Sequence, residues 1–201
     1  YNMQLEPFLH VDNDFYIWKP FPESIETGDL CVQSIEKEHI HNDLFVTEIS
    51  DNLEYIPNAI IEQRRNISDK RSINAGIIGG NNLAFIHNYS QEAIQFVEQN
   101  MGSLRKLKEP VHFNIVFEQY LFYCMANQQK KTISCLLTEL KDPGYRELVR
   151  FWDVPNSSAY IHTLASFKKD YLIGEQIAQR LWYEYPEYFL RIQKLIEREA
   201  L

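Results

Sequence analysis

The run Ile73-Asn-Ala-Gly-Ile-Ile-Gly-Gly80 is apolar, carries three glycines and has little helical character. Those glycines leave a strand whose backbone another chain segment or a ligand approaches closely. A second apolar run, Glu6-Pro-Phe-Leu-His-Val11, stops abruptly at Asp12-Asn13-Asp14, as a buried strand does on entering a polar loop. Further strands are expected at His41–Ile49, Thr132–Leu137 and Ala159–Leu164. Helical patterns lie between and after them. Tyr55–Ile61 turns helical after Pro57, and Ser90 is read as the N-cap of a helix over Gln91–Met101 that Gly102 closes. Val111–Asn127 repeats Phe113, Val116, Phe117, Tyr120, Leu121, Cys124 and Met125 at three- and four-residue steps. Arg64 to Arg71 reads as a polar loop, and two helices from Gly174 onward meet at Pro186. Strands alternating with helices imply an α/β layered fold.

The 201 residues suit one domain with a sizeable core, and 13% aromatic content argues against disorder over most of the length. A net charge of −8 opposes a nucleic-acid backbone as the main partner, though a single cation or metal can still hold a diphosphate locally. Cys31, Cys124 and Cys135 are too few and too scattered for a disulfide framework or zinc knuckle, and read as thiols of a reducing, cytoplasmic compartment. No apolar run reaches membrane-spanning length.

Asp12-Asn13-Asp14 places two carboxylates one residue apart at a strand end. Such a pair either forms an Asx-type turn or shares a divalent cation with a diphosphate, since hard cations take oxygen ligands and keep open positions. Ligands of open α/β sheets bind at the carboxyl ends of strands. His162 has a bland reading as a satisfied half-buried histidine, Lys168 beside Lys169 as solvated charge, and Glu118 as an exposed helix residue.

Taken in order, the segments resemble one family. Phe8-Leu-His-Val-Asp-Asn-Asp-Phe-Tyr-Ile resembles the Asp-x-Asp strand end of GT-A glycosyltransferases, and Asn74-Ala75-Gly76 resembles their Asn-[Ser/Ala]-Gly strand. Glu118-Gln119 looks like their Asp-Gln pair. His162-Thr-Leu-Ala-Ser-Phe-Lys168 is similar to the His-x-x-Gly-x-x-Lys element of the glycogenin and lipopolysaccharide galactosyltransferase group. The resemblance covers Glu6 to about Lys169.

It implies a GT-A-like nucleotide-diphospho-sugar transferase fold, a mixed sheet flanked by helices, with residues 171–201 as C-terminal helices packed on a single domain. Asp12, Asp14 and His162 would hold Mn²⁺ or Mg²⁺, with Asp12 also near the ribose. Lys168 would pair with the diphosphate, Asn74 and Gly76 would line the sugar pocket, and Glu118 and Gln119 would lie beside the donor sugar or acceptor. The implied activity is metal-dependent, retaining transfer of a hexose from a nucleotide-diphosphate sugar to a carbohydrate or lipid-linked acceptor. The alternatives are a non-catalytic sugar- or protein-binding module of the same fold and a phosphatase-like hydrolase, for which further acidic ligands are missing.

The sequence departs from the family pattern at three places. Ala165 stands for Gly, Lys169-Asp170 for Pro-Trp, and Glu118 for Asp. Only eleven residues precede Asp12, where such enzymes place about a hundred, in domains of 200 or more residues. The expectation is a truncated chain lacking most of the nucleotide-binding half. The strand ending at Val11 would then have a bare side, with Tyr1, Met3, Leu5, Phe8 and Trp18 exposed. The expected cover is a further segment of the parent protein, the alternatives being self-association through that edge and a terminal helix such as residues 187–200.

Overall fold

A computed structural model describes residues 1–36, 52–65, 71–107, 113–137, 140, 142 and 144–198. The strand expected at His41–Ile49 and most of the loop from Arg64 to Arg71 lie outside the described residues, as do the first two residues of the Val111–Asn127 helix. Six strands are described: β1 (Phe8–Val11), β2 (Phe15–Ile17), β3 (Leu30–Glu36), β4 (Ser72–Gly80), β5 (Ile133–Cys135) and β6 (Tyr160–His162). The α-helices are α1 (Glu23–Glu26), α2 (Asn58–Arg65), α3 (Leu83–Gln99), α4 (Met101–Leu104), α5 (Leu121–Gln128), α6 (Tyr171–Glu184) and α7 (Pro186–Glu197). The chain divides into two compact units. One holds Tyr1–Asp12 and Phe21–Lys141, the other Asn13–Pro20 and Asp142–Leu201.

The first unit is α/β, with a mixed four-stranded sheet in the order β1-β4-β3-β5. Strand β4 pairs antiparallel with β1 and β3, and β5 runs parallel to β3. Every residue of β4 is buried, as its apolar composition and its place between two strands require. The glycines that end it have a specific cause. Gly79 and Gly80 take φ of 155° and 127°, and a Cβ on either would strike the carbonyl oxygen of Phe8 or of Asp29. The close approach expected from the sequence is therefore made by the chain's own backbone. Strand β1 ends the sheet, with Phe8 opposite Gly80 and Val11 opposite Ile77. Met3 and Leu5 are strongly exposed, as expected, whereas Tyr1 and Phe8 pack against the core.

Helix α3 corrects the expected capping. It begins at Leu83, where Asn82 Oδ1 accepts from the Phe85 amide at 3.1 Å. Ser90 is buried inside this helix and donates to the Ile86 carbonyl at 2.7 Å, the four-residue back-bond open to a helical serine. Gly102 lies within α4 and does not close α3. The helix ends at Asn100, whose buried side chain accepts from the Glu54 and Tyr55 amides and donates to the Tyr55 and Phe96 carbonyls.

The helix expected to run to Asn127 is a π-helical segment over Ile115–Tyr120 followed by α5. Phe122 packs edge-to-face on Phe85 and Tyr89, and Phe96 packs likewise on Phe113. These rings sit in one buried cluster with Leu30, Val32, Ile73 and Ile78 of the sheet. Strand β3, buried through its first five residues, was not anticipated because Leu30-Cys-Val-Gln-Ser-Ile lacks strict alternation.

In the second unit, β2 and β6 form an antiparallel pair, with Phe15 opposite His162 and Ile17 opposite Tyr160. Sequence reading placed Phe15–Trp18 after a loop without assigning it a strand; its partner lies far along the chain. A small core of Val149, Phe151, Val154, Ile161 and Ile173 supports the pair. Arg180 of α6 donates to the Phe151 and Val154 carbonyls at 3.0 and 3.1 Å, tying the helix to the preceding loop. Helix α7 starts at Pro186 as expected, yet none of its residues is buried.

Candidate functional site

The pairing of β2 with β6 fixes Asp14 beside His162 in the second unit. The Thr163 amide and hydroxyl both donate to the Asp14 carbonyl, at 3.1 and 3.3 Å, which extends the ladder by one step. The Phe15 ring packs on the His162 imidazole, centroids 5.4 Å apart, and both residues are buried. The Asp14 side chain is 11% exposed, and its Oδ2 lies 3.6 Å from His162 Nε2 and 2.9 Å from Lys168 Nζ. Among the described residues neither Asp14 carboxylate oxygen receives a directed hydrogen bond, and the Lys168 ammonium is the nearer of the two groups that meet Oδ2. Burial, then the Asp14 charge, also pushes the neighbouring Tyr16 phenol up.

Lys168 is delivered by a short 3-10 turn, Ala165–Lys169. Ala165 has φ of 50°, the left-handed region that favours glycine. The backbone thus takes the conformation a glycine would take, with alanine in its place. Asp170 caps α6, its Oδ1 accepting from the Leu172 and Ile173 amides at 2.9 and 3.2 Å.

The donor set suits a hard or borderline divalent cation. A buried carboxylate with unsatisfied oxygens and an imidazole nitrogen offer ligand atoms within 4.8 Å of each other. Asp12 is two residues before Asp14, so the covalent chain alone keeps the two Cα atoms within about 7 Å.

Asp12 itself closes the first unit's ladder: its amide donates to the Gly76 carbonyl at 3.0 Å. Asn74 Oδ1 accepts from the Gly76 amide at 3.0 Å, and Asn74 Nδ2 donates to Glu36 at 2.9 Å. Asn74 and Gly76 therefore form a relay that holds the backbone at Asp12. The side chain of Asp12 faces His10, with Oδ1 to Nε2 3.4 Å. Glu118 lies on the π-helical segment, where the Tyr89 hydroxyl donates to its carbonyl at 2.9 Å. Burial raises the Glu118 pKa first and the Asp12 charge adds to it, while His10 and a hydrogen bond from Tyr1 pull it back. The Tyr1 phenol is pushed up by burial and then by the charges of Glu118 and Asp12, which keeps it a donor. A carboxyl with raised proton affinity is suited to proton transfer. Gln119, next to it, is half-buried.

A family model described as "Family of unknown function (DUF6734)" matches residues 1–195. The chain belongs to DUF6734. No curated protein and no solved structure matches it. The DUF6734 match spans Asp12, Asp14, Asn74, Gly76, Glu118, Gln119, His162 and Lys168.

Within this DUF6734 chain the structure brings Asp14, His162 and Lys168 together in one unit, and Asn74, Gly76, Asp12 and Glu118 belong to the other. Sequence reading assigned no role to Tyr1 or His10, although both interact electrostatically with Glu118. The alternation along Phe8–Val11, which puts His10 and Asp12 on the same face, was the available signal for His10. No signal marked Tyr1. Among the described residues no helix is long and apolar enough to cross a membrane. Cys31, Cys124 and Cys135 are free thiols, the first two buried.

Proposed function

We propose that this chain is a GT-A-like glycosyltransferase that transfers a hexose from a nucleotide-diphosphate sugar, with Asp12, Asp14 and His162 as ligands of Mn²⁺ or Mg²⁺. The observation that carries the reading is the meeting of Asp14, His162 and Lys168. Asp14 was singled out from one motif and His162 with Lys168 from another, and the two segments meet through β2–β6 pairing and the turn that follows. The left-handed φ of Ala165 supports it further, because glycine, the residue that the resemblance expects at this position, adopts that conformation readily.

The chemistry a divalent cation supplies there is Lewis-acid polarisation of the diphosphate oxygens as the glycosidic bond breaks. Asp14 and His162 hold the cation from a buried frame, and Asp12 adds a carboxylate from the adjoining residues of the chain. Lys168 donates to the departing diphosphate. Glu118 exchanges a proton with a sugar or acceptor hydroxyl, Gln119 positions that hydroxyl, and Asn74 with Gly76 sets the donor pocket. Retention of anomeric configuration, the acceptor class of carbohydrate or lipid-linked sugar, and a cytoplasmic setting belong to the same proposal.

The test is nucleoside-diphosphate release from a panel of nucleotide sugars, with and without Mn²⁺. Metal-dependent release that disappears in Asp14→Asn and His162→Ala is the expected result. Metal-dependent binding of a nucleotide sugar without release would favour a non-catalytic sugar-binding module. Neither binding nor release across the panel would overturn the glycosyltransferase reading.

A further inference from the structure

The Asp14 carboxylate is nearly buried and receives no directed hydrogen bond, an arrangement that requires a positive charge at close range. Lys168 supplies that charge at 2.9 Å. The two partners are unequal. The aspartate is fixed in a strand pair with 11% of its side chain exposed, while the lysine side chain is 53% exposed on a flexible four-carbon stem. The backbone beneath the lysine is anchored, since the turn leads directly into the Asp170 cap of α6. The exposed lysine side chain is the partner with room to rearrange.

We propose that Lys168 is a stand-in countercation for Asp14, and that its displacement by a divalent cation couples cation binding to capture of a diphosphate. The inference rests on the metal-site reading above and concerns the order of events at that site. A divalent cation bound to Asp14 Oδ2 lies about 2.1 Å from it. Lys168 Nζ, 2.9 Å from the same oxygen, would then be at most about 5 Å from that cation, at a separation where a double and a single positive charge repel strongly. The ammonium must leave Oδ2. Once free, it stands beside the cation with no anion of its own, and a diphosphate bridging both relieves the repulsion. Cation alone therefore binds against the lysine, whereas cation and diphosphate bind together.

The experiment measures Mn²⁺ binding by the loss of the free aqueous Mn²⁺ paramagnetic resonance signal. It compares the full chain with Lys168→Met and Lys168→Arg and adds no anion. Lys168→Met should bind Mn²⁺ about tenfold more tightly than the parent, because the competing charge is gone, and Lys168→Arg should match the parent. Equilibrium dialysis of inorganic pyrophosphate gives the second readout. Mn²⁺ should raise its retention by the parent about tenfold or more, and by Lys168→Met about twofold or less. Equal or weaker Mn²⁺ binding by Lys168→Met overturns the exchange and leaves the metal site standing. Absence of Mn²⁺ binding in all three proteins overturns both.

Discussion

Lys168 Nζ lies 2.9 Å from Asp14 Oδ2, joining a half-exposed ammonium to an almost wholly buried carboxylate. The pair is asymmetric in its cost of disruption. A lysine released from it gains water, whereas an aspartate released from it keeps a buried charge. The carboxylate therefore needs a cation, and the lysine is one of several that would serve.

Asp14→Asn should move stability in opposite directions with and without metal. In the absence of metal it removes a buried, poorly hydrogen-bonded charge and should be neutral or stabilising by up to about 1 kcal/mol. With Mn²⁺ at a hundred times its dissociation constant, the parent should gain about 2.7 kcal/mol and the variant nothing. Thermal denaturation with and without Mn²⁺ reads both effects. A parent whose melting temperature ignores Mn²⁺ would contradict the expectation.

Glu118 should make stability fall as pH rises. Its folded pKa lies above the ordinary value of 4.5 because of burial and then the Asp12 charge. A raised pKa means that the folded state holds the proton more tightly, so this stabilisation is complete below about 4.5 and lost as pH rises through the folded value. Glu118→Gln should accordingly be more stable than the parent at pH 7, with the gap closing towards pH 4. Urea titrations at several pH values measure it, and a gap that widens on acidification would refute the sign.

Ala165→Gly should stabilise the protein. Alanine in the left-handed region costs about 1–2 kcal/mol, and the extra unfolded-state freedom of glycine returns about 0.4–1 kcal/mol of that. The net gain is about 0.5–1 kcal/mol, read as a shift in denaturation midpoint.

Gly79→Ala should be costly for the converse reason. Its Cβ would meet the Phe8 carbonyl oxygen across the β1–β4 ladder, at a φ of 155° that side chains avoid. A loss of about 2–3 kcal/mol is expected, concentrated at β1. Hydrogen exchange of the Phe8–Val11 amides localises it, and unchanged protection there would show that the strand adapts.

Two apolar truncations should differ by an order of magnitude. Phe122 is fully buried between Phe85 and Tyr89, and its replacement by alanine should cost about 3–5 kcal/mol. Leu195 on α7 is 40% exposed, and Leu195→Ala should change stability by less than about 0.5 kcal/mol. Chemical denaturation of the two variants is the comparison.

Local chemistry was legible where a residue's role depends on its immediate neighbours. The turn-ending Asp12-Asn13-Asp14, the strand over Ile73–Gly80 and the Pro186 start of α7 all follow from side chains within a few positions. Ser90 misled because a serine makes the same hydrogen bond to a carbonyl four residues back inside a helix that removes it from capping, and Asn82 was available at the true start. The π-helical register at Glu118 was invisible, since the pattern of Phe113, Val116, Phe117 and Tyr120 is the same for either helix type.

The sequence by itself determined the strands at Phe8–Val11, Ser72–Gly80 and Tyr160–His162, and which side chains at the site carry charge or a lone pair. Apolar periodicity and glycine placement act over a few residues, so they are written locally. Only the tertiary structure decided that Phe15 lies opposite His162, that Asp14 is buried beside Lys168 and His162, and that Ala165 adopts a glycine's conformation. Those outcomes depend on pairing between strands distant in the chain. Desolvation of a carboxylate arises only when such strands meet, and no local pattern records it.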